Sequence, residues 1–162
     1  MNSKFSPLSA EELVTKINKI PRIYLAQLPT ALEYAPNISK ELNINLYIKR
    51  DDCTALAFGG NKTRHLEFIM AKTLSDNYDC ILTGAASQSN FCRQAVAAAN
   101  KLNLDSYLVL MHGIKGKLMQ GNFLLYSILG ANVDVVSGED LEEIPKHLDK
   151  KYEELIKQGR KP

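Results

Sequence analysis

No apolar run in this 162-residue chain approaches the roughly 20 residues that a bilayer-spanning helix needs. The opening Met1-Asn2-Ser3-Lys4-Phe5-Ser6-Pro7 lacks the apolar core of a signal peptide. Cysteine is scarce: Cys53, Cys80 and Cys92 are odd in number and form no Cys-x-x-Cys pair, so neither disulfides nor zinc are supported. A reducing, cytoplasmic setting is the default for such a chain. His65, His112 and His147 have no metal-ligand spacing. The formal charge of +2 is too small to imply nucleic acid or an anionic membrane as partner. No Gly-x-Gly-x-x-Gly follows any strand-like run, so a dinucleotide site has no fingerprint. Gly60-Asn61-Lys62-Thr63 falls short of a Walker loop, because Asn61 and Leu56 stand where its glycines belong. Repeats and low-complexity segments are also missing.

What is present is ordinary globular material. Hydrophobic residues at 45% and charged residues at 23% suit one domain with a real core. Ser9 and Glu12 form a capping box for a short helix that breaks by Pro21. Pro29-Thr30 marks a second break, residues 39–42 read as a brief helix, and residues 46–50 read as a strand. The charged run Lys49-Arg50-Asp51-Asp52 reads as solvated surface, although it abuts the glycines that follow.

From residue 61 the chain alternates. Helices are predicted over 61–74, 88–101, 118–129 and 145–158, and strands over 79–83, 106–111 and 133–137. Pro145 suits a first helical position and Gly159 a stop, and Leu148, Tyr152, Leu155 and Ile156 form the last helix's apolar stripe. Such alternation means βαβ units, so the expected fold class is α/β, an open twisted parallel sheet covered by helices.

The chemistry concentrates in two loops. Gly59 and Gly60 permit a tight turn or a close approach, and a helix starts straight after them. Lys62, Leu66, Ile69, Met70 and Thr73 share the spacing of one helix face, so Lys62 is expected to continue the apolar stripe. A lysine in an apolar site loses hydration and can serve as a neutral nucleophile or base; the plain alternative is a side chain that snorkels from the first turn. Thr83-Gly84-Ala85-Ala86-Ser87-Gln88-Ser89-Asn90 is a strand end leading into a helix, where free amides and the dipole suit a carboxylate or phosphate. Here the plain alternative is simple capping by Ser87, Ser89 or Asn90.

Four pieces, read in order, resemble a known family: IKRDD, GGNKTRHLE, QSNFCRQ and QGNFLLYSILGANV. They resemble D-cysteine desulfhydrase and 1-aminocyclopropane-1-carboxylate deaminase, pyridoxal-phosphate enzymes of the tryptophan-synthase-β type of fold. The resemblance implies that Lys62 holds pyridoxal 5'-phosphate as an internal aldimine and carries protons once the substrate displaces it. It implies that Asn90 hydrogen-bonds the cofactor's ring oxygen, that Ser89 is the active-site serine, and that Gln88, Ser89 and Asn90 hold the substrate carboxylate. His65 stands where the family has a lysine beside the cofactor phosphate, Phe91 where His or Gln is common, and Ala31 where proline is common. The implied reaction breaks a small amino acid into ammonia and a 2-oxo acid, with sulfide released from D-cysteine. By the same resemblance, residues 1–52 belong to the large cofactor domain and 53–162 form the small domain. Family members run about as long again beyond Pro162, through a phosphate cup, the group facing the pyridine nitrogen, and substrate-side tyrosines. This polypeptide is therefore expected to be truncated, inactive alone, and to act as a homo-oligomer or with a complementary carboxyl-terminal half. The alternatives are a non-catalytic α/β domain and, disfavoured by its failed glycine motifs, a nucleotide-binding module.

Overall fold

The computed structural model describes residues 7–112, 118–138 and 140–162. Helix α1 (Ala10–Ile17) is capped by Ser9, whose hydroxyl accepts from the Glu12 amide while the Glu12 carboxylate accepts from the Ser9 amide. The capping box read from four residues is thus the one that forms. The strand read over residues 46–50 forms as β2 (Tyr47–Lys49); its antiparallel partner β1 (Leu32–Tyr34) is not foreseen in the sequence, and the pair flanks helix α2 (Pro36–Leu42). A run as short as β1 has too little periodicity to announce itself, and only its pairing makes it a strand.

The remainder is the expected alternation: α3 (Lys62–Ser75), β3 (Cys80–Ala86), α4 (Asn90–Lys101), β4 (Asp105–Met111), α5 (Gly121–Ile128), β5 (Asn132–Val136) and α6 (Ile144–Lys157). The three strands form a parallel sheet in the order β3-β4-β5, with Thr83 beside Leu108 and Leu108 beside Val133. Side chains alternate across β4. Leu108 and Leu110 meet Cys92 and Val96 of α4 and Phe123 and Tyr126 of α5. On the opposite face Ile144 and Leu148 of α6 close over Gly84, where a Cβ would stand 2.7 Å from Ile144. Helix α4 is buried nearly all round, and Ala95, Ala98 and Ala99 let Leu66 and Met70 of α3 approach closely.

Two helix faces differ from the expectation. In α3 the buried positions are Thr63, Leu66, Glu67, Met70 and Ala71, while Ile69 is exposed and Lys62 is half-buried at the flank. Lys62 therefore borders the apolar stripe and does not continue it, because Leu66 and Met70 belong equally to two faces one residue apart. In α6 the buried residues are Ile144 and Leu155, with Leu148 half-buried, whereas Tyr152 and Ile156 are exposed. The run 49–52 is only partly the solvated surface expected. Arg50 pairs with exposed Asp52 and Glu33, but Asp51 faces inward and takes both the Nε and Nη2 of Arg64 at 2.7 Å. All three cysteines are free thiols. No helix among the described residues is long and apolar enough to cross a membrane.

Candidate active site

Helices α3, α4 and α5 all begin at one edge of the parallel sheet, and side chains of α4 and its leading loop stitch those starts together. Ser89 caps its own helix by accepting the Cys92 amide at 3.3 Å. Gln94 caps α3, its Oε1 accepting from the Thr63 amide at 2.8 Å and the Thr63 hydroxyl at 2.7 Å. Gln88 serves α5, its Oε1 accepting from the Asn122 amide at 3.0 Å while its Nε2 donates to the Gln120 carbonyl at 3.1 Å. Tyr126 binds the loop from below by donating to the Ser89 carbonyl at 2.8 Å. Burial pushes the Tyr126 phenol well above its usual range, so it stays a donor. Three positive helix ends thus meet in one place, the arrangement that favours an anion.

The loop before α3 is strained. Ala55, Ala57 and Phe58 carry φ of 70°, 45° and 68°, a conformation that costs a non-glycine residue about 1–3 kcal/mol. It persists because its surroundings leave no alternative. The Thr54 hydroxyl donates to the Gly60 carbonyl at 2.8 Å and accepts the Gly60 amide at 3.0 Å, and Arg93 Nη2 donates to the Gly59 carbonyl at 2.9 Å. Gly59 has φ +75°, and a Cβ there would stand 1.9 Å from the Asp52 carbonyl oxygen. Gly59→Ala is therefore expected to destabilise the protein by about 2 kcal/mol or more. Gly130→Ala isolates the conformational part, since φ there is +74° with nothing within 4 Å; its expected cost is about 1 kcal/mol. Urea unfolding of the two variants checks the difference, and equal losses would mean that the Asp52 contact carries nothing.

Lys62 opens α3 at this junction. Among the described residues its amine has no ion pair or hydrogen bond, whereas Lys49, Lys72 and Lys151 each hold an acceptor. An amine free of a carboxylate partner is available for covalent chemistry. Lys16, Lys40 and Lys101 are equally unpaired among the described residues, so what sets Lys62 apart is its place at the helix junction. His65, one turn further on, stacks on Phe91 of α4 with ring centroids 5.5 Å apart. Partial burial and then the Lys62 charge hold its imidazole below the ordinary histidine value, so it is neutral near pH 7. The Asn90 carboxamide lies at the mouth of α4, its Oδ1 accepting from Arg93 Nη1 at 3.1 Å and from Asn122 Nδ2 at 3.0 Å.

The structure sets the start of α3, which carries Lys62 and His65, beside α4 through the His65–Phe91 stack, the Gln94–Thr63 cap and the Arg93–Gly59 bond, with Gln88, Ser89 and Asn90 at the head of α4. It also shows Ser89 capping, as the plain alternative held, so capping and placement at the mouth are one arrangement. Both ends of the Gln88 amide are engaged within the protein. Sequence reasoning missed Thr54, Arg93, Gln94 and Asn122. Only Arg93 carried a local signal, a cation in a first helical turn where the dipole disfavours it. Among the described residues no cluster of three or more His, Cys, Asp or Glu could hold a metal ion.

Comparison with known proteins shows the family and the fold. The family model for pyridoxal-phosphate dependent enzymes matches residues 23–162. A putative 1-aminocyclopropane-1-carboxylate deaminase of Pyrococcus horikoshii is 42% identical over 145 residues, covering 89% of this chain and 43% of that protein. A D-cysteine desulfhydrase of Klebsiella pneumoniae is 37% identical over 150 residues, covering 90% of this chain and 45% of that protein. The solved structure of an ACC deaminase homologue superposes with a TM-score of 0.85 at 39% identity, over 93% of this chain and 45% of its own. The processed form of threonine deaminase isoform 2 from Solanum lycopersicum, 22% identical with a TM-score of 0.67, shares the fold. The chain spans less than half the length of the curated relatives it matches.

Proposed function

The chain belongs to the pyridoxal-phosphate-dependent enzyme family, and we propose that the junction of α3, α4 and α5 is its share of a lyase or deaminase site. The proposed substrate is a small amino acid of the D-cysteine or 1-aminocyclopropane-1-carboxylate type, broken down to ammonia and a 2-oxo acid. The observation that carries this reading is the unpaired Lys62 amine at the meeting of three helix N-termini.

The residues present fit the cofactor. Lys62 would hold it, and the Asn90 amide would donate to its ring oxygen. His65, neutral and one turn beyond Lys62, would face its phosphate as a hydrogen-bonding group instead of a charge. Bound pyridoxal phosphate supplies the electron sink for bond breaking at the substrate's α-carbon. The protein's own work is then plain. The Ser89 loop and the first amides of α4 would grip the substrate carboxylate, Ser89 would orient the reacting end, and Lys62 would hold or return a proton. Gln88 would contribute by fixing the loop to α5, since its side chain is already engaged.

We assign residues 1–52 to the cofactor domain and 53–162 to the small domain. The exposed apolar side chains Leu32, Tyr34, Tyr47 and Ile48 on β1 and β2 are the surface that the carboxyl-terminal half of the family's fold would cover. We propose that activity needs that complement, or assembly of the chain as a homo-oligomer.

The test is covalent trapping. The chain is incubated with pyridoxal phosphate, fixed with borohydride, and the pyridoxyl mark is located by peptide mass. The mark should concentrate on Lys62 over the exposed lysines. Even labelling of all lysines would overturn the assignment.

A further inference from the structure

We infer that Arg93, together with Asn122, is a positioning residue that fixes which end of the Asn90 carboxamide a ligand meets. The inference rests on the role proposed above for Asn90, and its geometry stands independently of that role. A carboxamide has an accepting oxygen and a donating nitrogen, and a flip exchanges them. In this site the Asn90 oxygen receives two donors, Arg93 Nη1 at 3.1 Å and Asn122 Nδ2 at 3.0 Å. Both of its lone-pair directions are used. A flipped amide would set its NH2 against two other donors, so the nitrogen must be the end left for a ligand. Among the described residues Asn90 Nδ2 has no acceptor.

Asn122 is held in its own orientation by the same logic. Its oxygen accepts from Arg93 Nη1 at 2.9 Å, and its nitrogen donates to the Gln88 carbonyl at 2.8 Å as well as to Asn90. Through Nη2 the guanidinium also holds the Gly59 carbonyl at 2.9 Å. One rigid fork therefore ties the Asn90 amide to the loop that presents Lys62 and to the start of α5.

This is not the placement that stability alone would choose. A cation in the first turn of α4 opposes the helix dipole, and Arg93 Nε is buried without a partner among the described residues. The consequence is chemical. A donor at Asn90 suits an anionic or carbonyl oxygen, and rejects a ligand that offers a donor there.

The experiment reads the amide itself. In the 15N-labelled chain, the order parameter of the Asn90 side-chain NH2 should match rigid backbone, about 0.85, and fall below about 0.6 in Arg93→Lys and in Asn122→Ala. Two variants are used so that a folding failure in one does not end the test, and dispersed amide signals elsewhere confirm the fold. Affinity for pyridoxal phosphate should fall about tenfold to a hundredfold in both. A mobile amide in the unaltered chain, or a rigid one in both variants, would overturn the inference. A rigid amide that loosens in both variants, with no uptake at Lys62 in any of them, supports the positioning role and removes the function proposed above.

Discussion

Replacing Lys62 with Ala is expected to abolish the borohydride-stable mark at the start of α3, leaving only background on surface lysines. In the assembled enzyme, turnover of a small amino acid should fall by about a thousandfold or more, because nothing else in the described site can take the place of the amine. Lys62→Arg should fail equally, since a guanidinium keeps the charge and cannot act as a nucleophile. Folding should be spared. Lys62 lies at the flank of α3, half-buried and without a hydrogen-bond partner among the described residues, so the thermal midpoint should move by no more than a few degrees. Retained turnover in Lys62→Ala would exclude this lysine as the cofactor's anchor.

Glu67→Ala should produce the opposite pattern, with a large loss of stability that begins outside the site. Glu67 is fully buried on α3, one turn beyond Thr63. Its Oε1 accepts the amides of Leu25 at 2.8 Å and Ala26 at 2.9 Å, and its Oε2 accepts Arg22 Nε at 2.7 Å and pairs with Arg22 Nη2. One carboxylate therefore fastens residues 22–26 to the helix that carries Lys62. Removing it strands two backbone donors and one side of an ion pair, a loss of about 3–5 kcal/mol when both partners are buried. The Arg22 side chain is 27% exposed and can recover some water, so about 3 kcal/mol is expected, or roughly 6–12 °C in the thermal midpoint. Glu67→Gln keeps an acceptor for the two amides and should lose about half as much. Calorimetry decides the matter: a shift under about 2 °C in Glu67→Ala would show that this carboxylate does not anchor the segment.

Much of the architecture could be read directly because its causes are local. The Ser9–Glu12 capping box acts across four residues. Pro145 lies in the first turn of α6, and Gly159, with φ +79°, follows its end. The alternation of strand and helix runs from residue 61 shows through hydrophobic period alone. The two glycines before Lys62 and the small residues at the end of β3 marked both halves of the proposed site, since backbone that turns or packs closely leaves a compositional trace.

The amino-acid sequence by itself determined the alternating elements from residue 61, the parallel class of their sheet, and the two loops proposed as the site, all consequences of forces acting within a turn or two of the chain. Tertiary structure alone decided the rest. Period could not say that Lys62 flanks the buried stripe, because Leu66 and Met70 fit either of two adjacent faces and packing against Ala95, Ala98 and Ala99 chose between them. Nor could it show that Gln94 caps a helix starting 32 residues earlier, or that Gln88 caps one starting 33 residues later. The pairing of Glu67 with Arg22 spans 45 residues, and the Arg93 fork joins positions 34 residues before it and 29 after it. Such contacts leave no periodic trace, because each is specified by where the sheet brings helix ends together and by the cost of leaving buried polar groups unpaired.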